Sequence, residues 1–402
     1  MPNFFSPPRR FALITLASIG LCAGIFLLIP HTFSHSSGYW DAYGQVVFHL
    51  NTEGTFGPER YLAPGFPLML SFVSLVAPLS FFAERFVQIF FFLLLLRVVF
   101  LIGKEVFRDA RVGYGAVFLM FLPAVTLQIF SLDALLFYTL LLTSGILFIW
   151  RGYARHSRMY MALAGLVFGY AALTDPIGLY VPVIVLVWFL FVSWKKIPLK
   201  KLALLAMLFS LSVLTLLVPW YVRNVATFEN AHDAPIIQKE IEKDVFFNPR
   251  IRPLIFDFFL RSPQQALQIA AFMVFIPPDL ATLDQNTSFR YRSALLAVLQ
   301  TGALPAQFPA SIFFAKIFIA GAHMFLVLLA LVGAILFRSQ AIFFLGTALL
   351  VYILFAVISV GSLTHFRGIS PLQEFVYPLY PLLYLFATYT LVALHDRLKS
   401  RA

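Results

Sequence analysis

Charge is scarce in this chain: only 12% of its 402 residues are Asp, Glu, Lys or Arg. A soluble domain carries roughly 25%, so there is too little polar surface here to coat a water-facing globule. Cysteine is almost missing as well. The single Cys22 sits in an apolar run and excludes both an internal disulfide and a cysteine-built metal cage. The chain also lacks a Walker A loop, a dinucleotide-binding glycine pattern, an HExxH pair and a nucleophile elbow. Their absence disfavours a soluble nucleotide as direct group donor. No internal repeat, low-complexity tract or linker divides the sequence, which therefore reads as one membrane-embedded domain over residues 1–402.

What is present is apolar and aromatic. The chain is 61% hydrophobic, with 47 Phe and 16 Tyr. A spanning helix needs about 20 mostly apolar residues, and ten stretches qualify: Phe11–Pro30, Glu84–Ile102, Gly113–Phe130, Ala134–Trp150, Met159–Leu173, Ile177–Trp194, Leu202–Val222, Ile312–Phe337, Ala341–Gly361 and Phe375–Leu394. The expected fold is thus an all-α, polytopic transmembrane bundle of about ten spans, within a range of nine to twelve. The first stretch is too long for a signal-peptide core and no cleavage site follows it, so it reads as retained.

The formal charge of +11 would suggest nucleic acid as a partner of a soluble protein. Here its distribution explains it. With the N-terminus placed in the cytoplasm, the inside segments hold 16 cations, among them Arg9, Lys104, Arg155, Lys195 and Lys201, against 3 acids. The outside segments hold 12 cations and 15 acids. That split is the positive-inside pattern. It predicts an inner-membrane protein whose chemistry faces the extracytoplasmic side, and it leaves no need for nucleic acid.

Two outside segments exceed the length of connectors: a first outer loop over 31–83 and a second over 223–311. Loops of this size are functional or disordered. Short apolar pieces inside them, Pro67–Ala77 and Ala266–Ile276, read as interfacial or re-entrant helices over a cavity.

Ionisable groups near membrane depth carry a functional default. Asp41, in Gly38-Tyr-Trp-Asp-Ala-Tyr-Gly, can take a proton from an attacking hydroxyl, or it can cap the helix that follows. Arg60 can grip a phosphate with its planar fork, or pair with Glu59 or lipid headgroups. Arg367 stands with His365 before the last span, where an outer-leaflet headgroup arrives or where simple anchoring suffices. Asp175, before Pro176, reads as a turn residue. His31 and His35 have helical spacing but no third ligand nearby, and no cluster demands a metal. No cofactor is required, although a divalent cation is compatible with the pattern. Glu53 and Glu59 are further acids able to assist an acceptor or such a cation.

Four stretches together resemble the GT-C glycosyltransferases, membrane enzymes that take a sugar from a polyprenyl-phosphate carrier. The protein O-mannosyltransferases, the aminoarabinose transferase of lipid A and their bacterial relatives are the nearest branches. The first stretch runs Trp40-Asp-Ala-Tyr, then Asn51-Thr-Glu-Gly-Thr-Phe-Gly, then Arg60-Tyr-Leu-Ala-Pro-Gly-Phe-Pro-Leu. The second is Gly165-Leu-Val-Phe-Gly-Tyr-Ala-Ala-Leu-Thr-Asp-Pro-Ile-Gly-Leu. The third is Val218-Pro-Trp-Tyr-Val-Arg-Asn, and the last is Arg367 followed by Pro378 and Pro381. The resemblance implies a cell-envelope transferase moving a sugar from a polyprenyl-phosphate donor to a lipid, glycan or protein acceptor. It implies Asp41 as the inverting general base, with Arg60, Arg367 and Arg223 on the donor phosphate. Many family members carry a second acid where Ala42 stands, and a basic residue where Asp175 stands. Two rival readings follow, a transporter or lipid/glycan flippase and a non-catalytic member of the same fold. Acids clustered at one rim and span interiors nearly free of charge favour surface chemistry over transport.

Overall fold

The computed structural model describes residues 38–56, 64–76, 81–122, 134–175, 178, 181–229, 310–336 and 378–400. These form ten helices: α1 Gly38–Glu53, α2 Gly65–Ser74, α3 Phe81–Val106, α4 Ala110–Leu119, α5 Leu135–Arg155, α6 Arg158–Thr174, α7 Val181–Ser193, α8 Leu199–Glu229, α9 Ala310–Leu336 and α10 Tyr380–Lys399. No strand occurs among the described residues. A helix is the element that satisfies every backbone group within its own segment, which lipid requires. Residues 86–106, 135–155 and 199–223 are long and apolar enough to cross a membrane. The chain is a membrane protein with the all-α architecture expected. The expected spans Phe11–Pro30 and Ala341–Gly361 lie outside the described residues, as does the short piece Ala266–Ile276.

The helices pack in a row. α9 lies on α10, α10 on α4, α4 on α3, α3 on α5, α5 on α6 and α6 on α8, with α7 against α8 and α6. α5 is central: 67% of its membrane-length stretch is buried, against 22% for α8. Lipid gives apolar helices no hydrophobic reason to associate, so close packing through small residues must hold them. Gly103 of α3 meets Gly113 of α4 backbone to backbone, and Gly165 of α6 rests on the Phe209 carbonyl of α8. Phe168 fills the notch left by Gly145.

The cationic connections gather at one end of this bundle. Buried Arg151, at the end of α5, makes a two-pronged pair with Glu105 of α3 (Nη2 to Oε1 2.6 Å, Nε to Oε2 2.9 Å). Lys196, between α7 and α8, donates to the Tyr153 hydroxyl at 3.0 Å. Arg111, at the start of α4, reaches both Asp109 and Asp396, each at 2.7 Å. The alternation read from the charges is therefore visible as contact between the basic turns. α1, α2 and the C-terminal ends of α6 and α8 occupy the other end.

Asp109 caps α4 by accepting from the Arg111 N–H at 2.8 Å, and the Arg111 guanidinium pulls its carboxyl below the usual carboxylate range. Asp396, held by the same guanidinium, is lowered for the same reason. A depressed acid contributes stability above its unfolded value and loses it as pH falls through the folded one. The stability lost in Arg111→Ala should therefore be constant between pH 7 and 5, and should shrink as pH falls through the ordinary value of 3.8 toward the lower folded ones. Thermal melts of both proteins in detergent across that range check it. A difference already fading at pH 6 would place the clamp on another group.

The helix ends depart from the apolar stretches in both directions: α4 stops at Leu119, short of the expected Phe130, where residues 120–122 turn away. α8 continues to Glu229 and α10 to Lys399, beyond the expected ends at Val222 and Leu394. Hydropathy marks where lipid ends; the backbone ladder goes on past that depth. Arg223 is consequently a helical residue and not the first residue of the second outer loop.

Candidate functional site

The first outer loop is built to sit on the bundle. α1 ends at Gly54, whose φ of +67° is left-handed, a conformation glycine adopts without penalty. The Thr55 N–H turns back to the His49 carbonyl at 3.4 Å. Asn51 then locks α1 to α2: its amide donates to Ser74 Oγ at 2.6 Å and its carbonyl accepts from Ser71 Oγ at 2.5 Å.

α2 in turn docks on the end of α6 through Gly65. A Cβ at that position would lie 2.5 Å from Thr174 Oγ1 and 2.8 Å from the Thr174 backbone nitrogen, so nothing larger than glycine fits. The Tyr170 hydroxyl donates to the Gly65 carbonyl at 2.9 Å. Phe66 packs beside Phe137, and Phe137 lies between Phe91 and Tyr170. The Pro-Gly-aromatic-Pro stretch and the α6 hairpin stretch are thus two halves of one joint.

Asp175 stops α6 with extended backbone (φ −140°, ψ 131°), which the following Pro176 favours. Its carbonyl accepts from the Gly178 N–H at 2.8 Å. The turn reading of Asp175 agrees with this geometry.

A third stretch joins the same loop. Pro219 stands inside α8 and removes one backbone hydrogen bond there. One residue on, Trp220 meets Phe56 edge-to-face with centroids 5.1 Å apart. The Arg223 guanidinium lies 4.6 Å from the Trp220 ring and 5.0 Å from the Phe56 ring. A cation over two aromatic faces is held electrostatically as well as by packing. Arg223 is half-buried there, at the junction of the first loop and α8.

The other sequence-predicted residues fall as follows. Asp41 lies in the first turn of α1, three residues after the helix begins at Gly38. An N-cap precedes the first helical residue, so Asp41 is not the cap of this helix. Glu53, the last residue of α1, is exposed; its Oε2 is 3.1 Å from His49 Nδ1 and accepts from Thr55 Oγ1 at 3.3 Å. Glu59, Arg60 and Arg367 lie outside the described residues. No group of three or more His, Cys, Asp or Glu able to share a metal occurs among the described residues. Phe56, Trp220, Tyr170 and Thr174 were passed over as functional positions. All four stand inside the stretches already singled out, and for Phe56, Trp220 and Tyr170 the motif aromatics were the available signal.

The row of antiparallel helices, with α1 and α2 seated on one end, is a polytopic all-α membrane fold. Among solved structures it is similar to the archaeal oligosaccharyltransferase AglB from Archaeoglobus fulgidus, in complex with an inhibitory peptide and a dolichol-phosphate. The TM-score is 0.53 at 16% identity, over 96% of this chain and 50% of that one. A second structure of the Archaeoglobus fulgidus oligosaccharyltransferase, complexed with Zn and sulfate, aligns at a TM-score of 0.54 and 14% identity, with the same coverage. ArnT from Cupriavidus metallidurans, bound to undecaprenyl phosphate, aligns at 0.46 and 16% identity over 96% of this chain and 77% of that one, too low a score to bear on the fold. The chain spans about half the length of the oligosaccharyltransferase it matches. No protein family and no curated protein matches it by sequence.

Proposed function

We propose that this chain is an integral-membrane glycosyltransferase of the inner membrane, moving a sugar from a polyprenyl-phosphate donor to a lipid, glycan or protein acceptor at the outer face. The observation that carries the reading is the meeting of three resemblance-bearing stretches, from separate parts of the sequence, at one end of the bundle. Stability alone does not require that the conspicuous polar and aromatic residues of three separate segments converge there. The fold likeness to an oligosaccharyltransferase in complex with a dolichol-phosphate supports a lipid-phosphate donor.

In this mechanism Asp41 accepts the proton of the acceptor hydroxyl as its oxygen attacks the anomeric carbon. The bond from that carbon to the phosphate oxygen breaks with inversion, and polyprenyl phosphate departs with the electron pair. Arg223, Arg60 and Arg367 stabilise the phosphate as its charge grows. Glu53 and Glu59 are the reserve acids for the acceptor. No cofactor is needed, and a divalent cation would serve only to assist.

The test is transfer itself: purified protein in liposomes with a labelled polyprenyl-phosphate sugar and membrane extract as acceptor source. Release of polyprenyl phosphate together with label in the acceptor is the expected result. Vectorial movement of the intact donor with no release would establish a flippase instead.

Sidedness has its own check. In a Cys22→Ala background, single cysteines at Ser37 and at Thr287 should label from outside with an impermeant reagent, because the cation-rich turns select the cytoplasm. Labelling of either from the cytoplasmic side alone would invert the topology.

A further inference from the structure

The end of the bundle opposite the first loop carries a feature that sugar transfer does not use. The α5–α6 and α7–α8 turns present Arg155, Arg158, Lys195, Lys196, Lys200 and Lys201, all exposed. Residues 151–158 and 194–201 contain no Asp or Glu. The Lys196 bond to Tyr153 ties the two turns together, and the Arg155 guanidinium lies 5.5 Å from the centre of the Tyr160 ring. Arg155, Arg158, Lys195, Lys200 and Lys201 enter none of the ion pairs among the described residues. α6 and α8 both start at this surface with no acid in the first turn, so their positive dipole ends add to the field.

Apolar side chains flank these cations. Met159 is 69% exposed, Phe191 76%, Trp194 65% and Leu199 65%. A small anion would answer the charge and leave that apolar rim in water. A nucleic acid would do the same. An amphiphile with an anionic head and acyl chains answers both.

We propose that the α5–α6 and α7–α8 turns form a binding surface for the headgroups of anionic phospholipids, with the acyl chains lying along Phe191, Trp194 and Leu199. The cations bind the phosphates, Tyr153 and Tyr160 hold Lys196 and Arg155 at headgroup depth, and Trp194 marks the boundary with the hydrocarbon. This assignment stands independently of the transferase reading.

The experiment uses the full-length protein in neutral-detergent micelles, titrated with phosphatidylglycerol whose acyl chains are brominated, and reads tryptophan quenching. Phosphatidylcholine with the same chains and inorganic phosphate are the comparison probes. Quenching should half-saturate at a much lower fraction of phosphatidylglycerol than of phosphatidylcholine, and Trp194→Phe should remove most of it. The double variant Arg155→Gln/Lys196→Gln should raise the half-saturating fraction about 25-fold, at about fivefold per cation. Lys104→Gln/Lys399→Gln loses the same charge at the same end and should leave it within about threefold of wild type. Equal quenching by both lipids, equal loss in both double variants, or quenching that survives Trp194→Phe would each overturn the proposal. Displacement of the lipid by millimolar inorganic phosphate would mark a free-anion site and overturn it too.

Discussion

Asp41→Asn is expected to lower sugar transfer by roughly 10²–10⁴-fold, the worth of a positioned general base, and to leave the protein folded. The substitution keeps the size of the side chain and most of its hydrogen bonding but removes the proton acceptor. Asp41→Glu should recover only part of the rate, since one methylene displaces the carboxylate from its line of approach. Because Asp41 lies in the first turn of α1 and not at its cap, a structural role would show differently. A carboxylate in a first turn interacts with the helix dipole by about 0.3–1 kcal/mol. Loss of that interaction would appear as a small shift in the melt with transfer unchanged. Transfer assays and thermal melts on the same preparation separate the two roles. Near wild-type transfer by Asp41→Asn would remove the mechanism and make Glu53 and Glu59 the acids to test.

Arg223→Gln is expected to cost roughly 10²–10³-fold in transfer, by analogy with the loss of one preorganised oxyanion donor. Arg223→Lys should fall between, because the charge is kept but the two-pronged fork is lost. The stack with Phe56 and Trp220 supplies an internal control. If the guanidinium served only to pin the first loop to α8, its loss would equal the loss of the stack. A cation–π contact is worth about 0.5–2 kcal/mol, so Trp220→Ala would then match Arg223→Gln within a few-fold, chiefly in the apparent affinity for donor. A phosphate ligand makes Arg223→Gln the more damaging by at least tenfold, with the loss in kcat. Equal effects from the two substitutions would return the phosphate to Arg60 and Arg367.

The apolar stretches located the bundle because lipid imposes one rule on every helix that crosses it. α3, α5 and α6 begin and end within a few residues of the expected spans. The ends of α8 and α10 were less legible. Val222 and Leu394 are where apolar sequence stops, but a helix in water loses nothing by running one or two turns further. That misplaced Arg223 at the head of a loop. The cap reading of Asp41 failed for a related reason: Gly38, Tyr39 and Trp40 give no local signal that a helix has already started. What composition could not show was pairing. Nothing in the spacing of Phe56, Trp220 and Arg223 says that the three meet. Nor does Gly65 announce Thr174, because a glycine needed for close approach looks like one needed for a turn until its neighbour is known.

The contact between Gly103 and Gly113 has a consequence for how sequences of this fold can drift. The two glycines lie ten positions apart, on helices joined by a three-residue turn; a methyl group on Gly103 would meet the Gly113 backbone, and one on Gly113 would meet Phe100 one turn before Gly103. A side chain gained at one position cannot be offset by trimming the other, which is already minimal. The helix crossing itself must widen, and the Phe100–Tyr114 ring pair beside it must part. Across distant members, the two sites should therefore change together or stay small together, and a lineage with bulk at either should show a wider α3–α4 crossing. Substitution histories at this pair would then record the geometry of the bundle where overall sequence identity has decayed too far to do so.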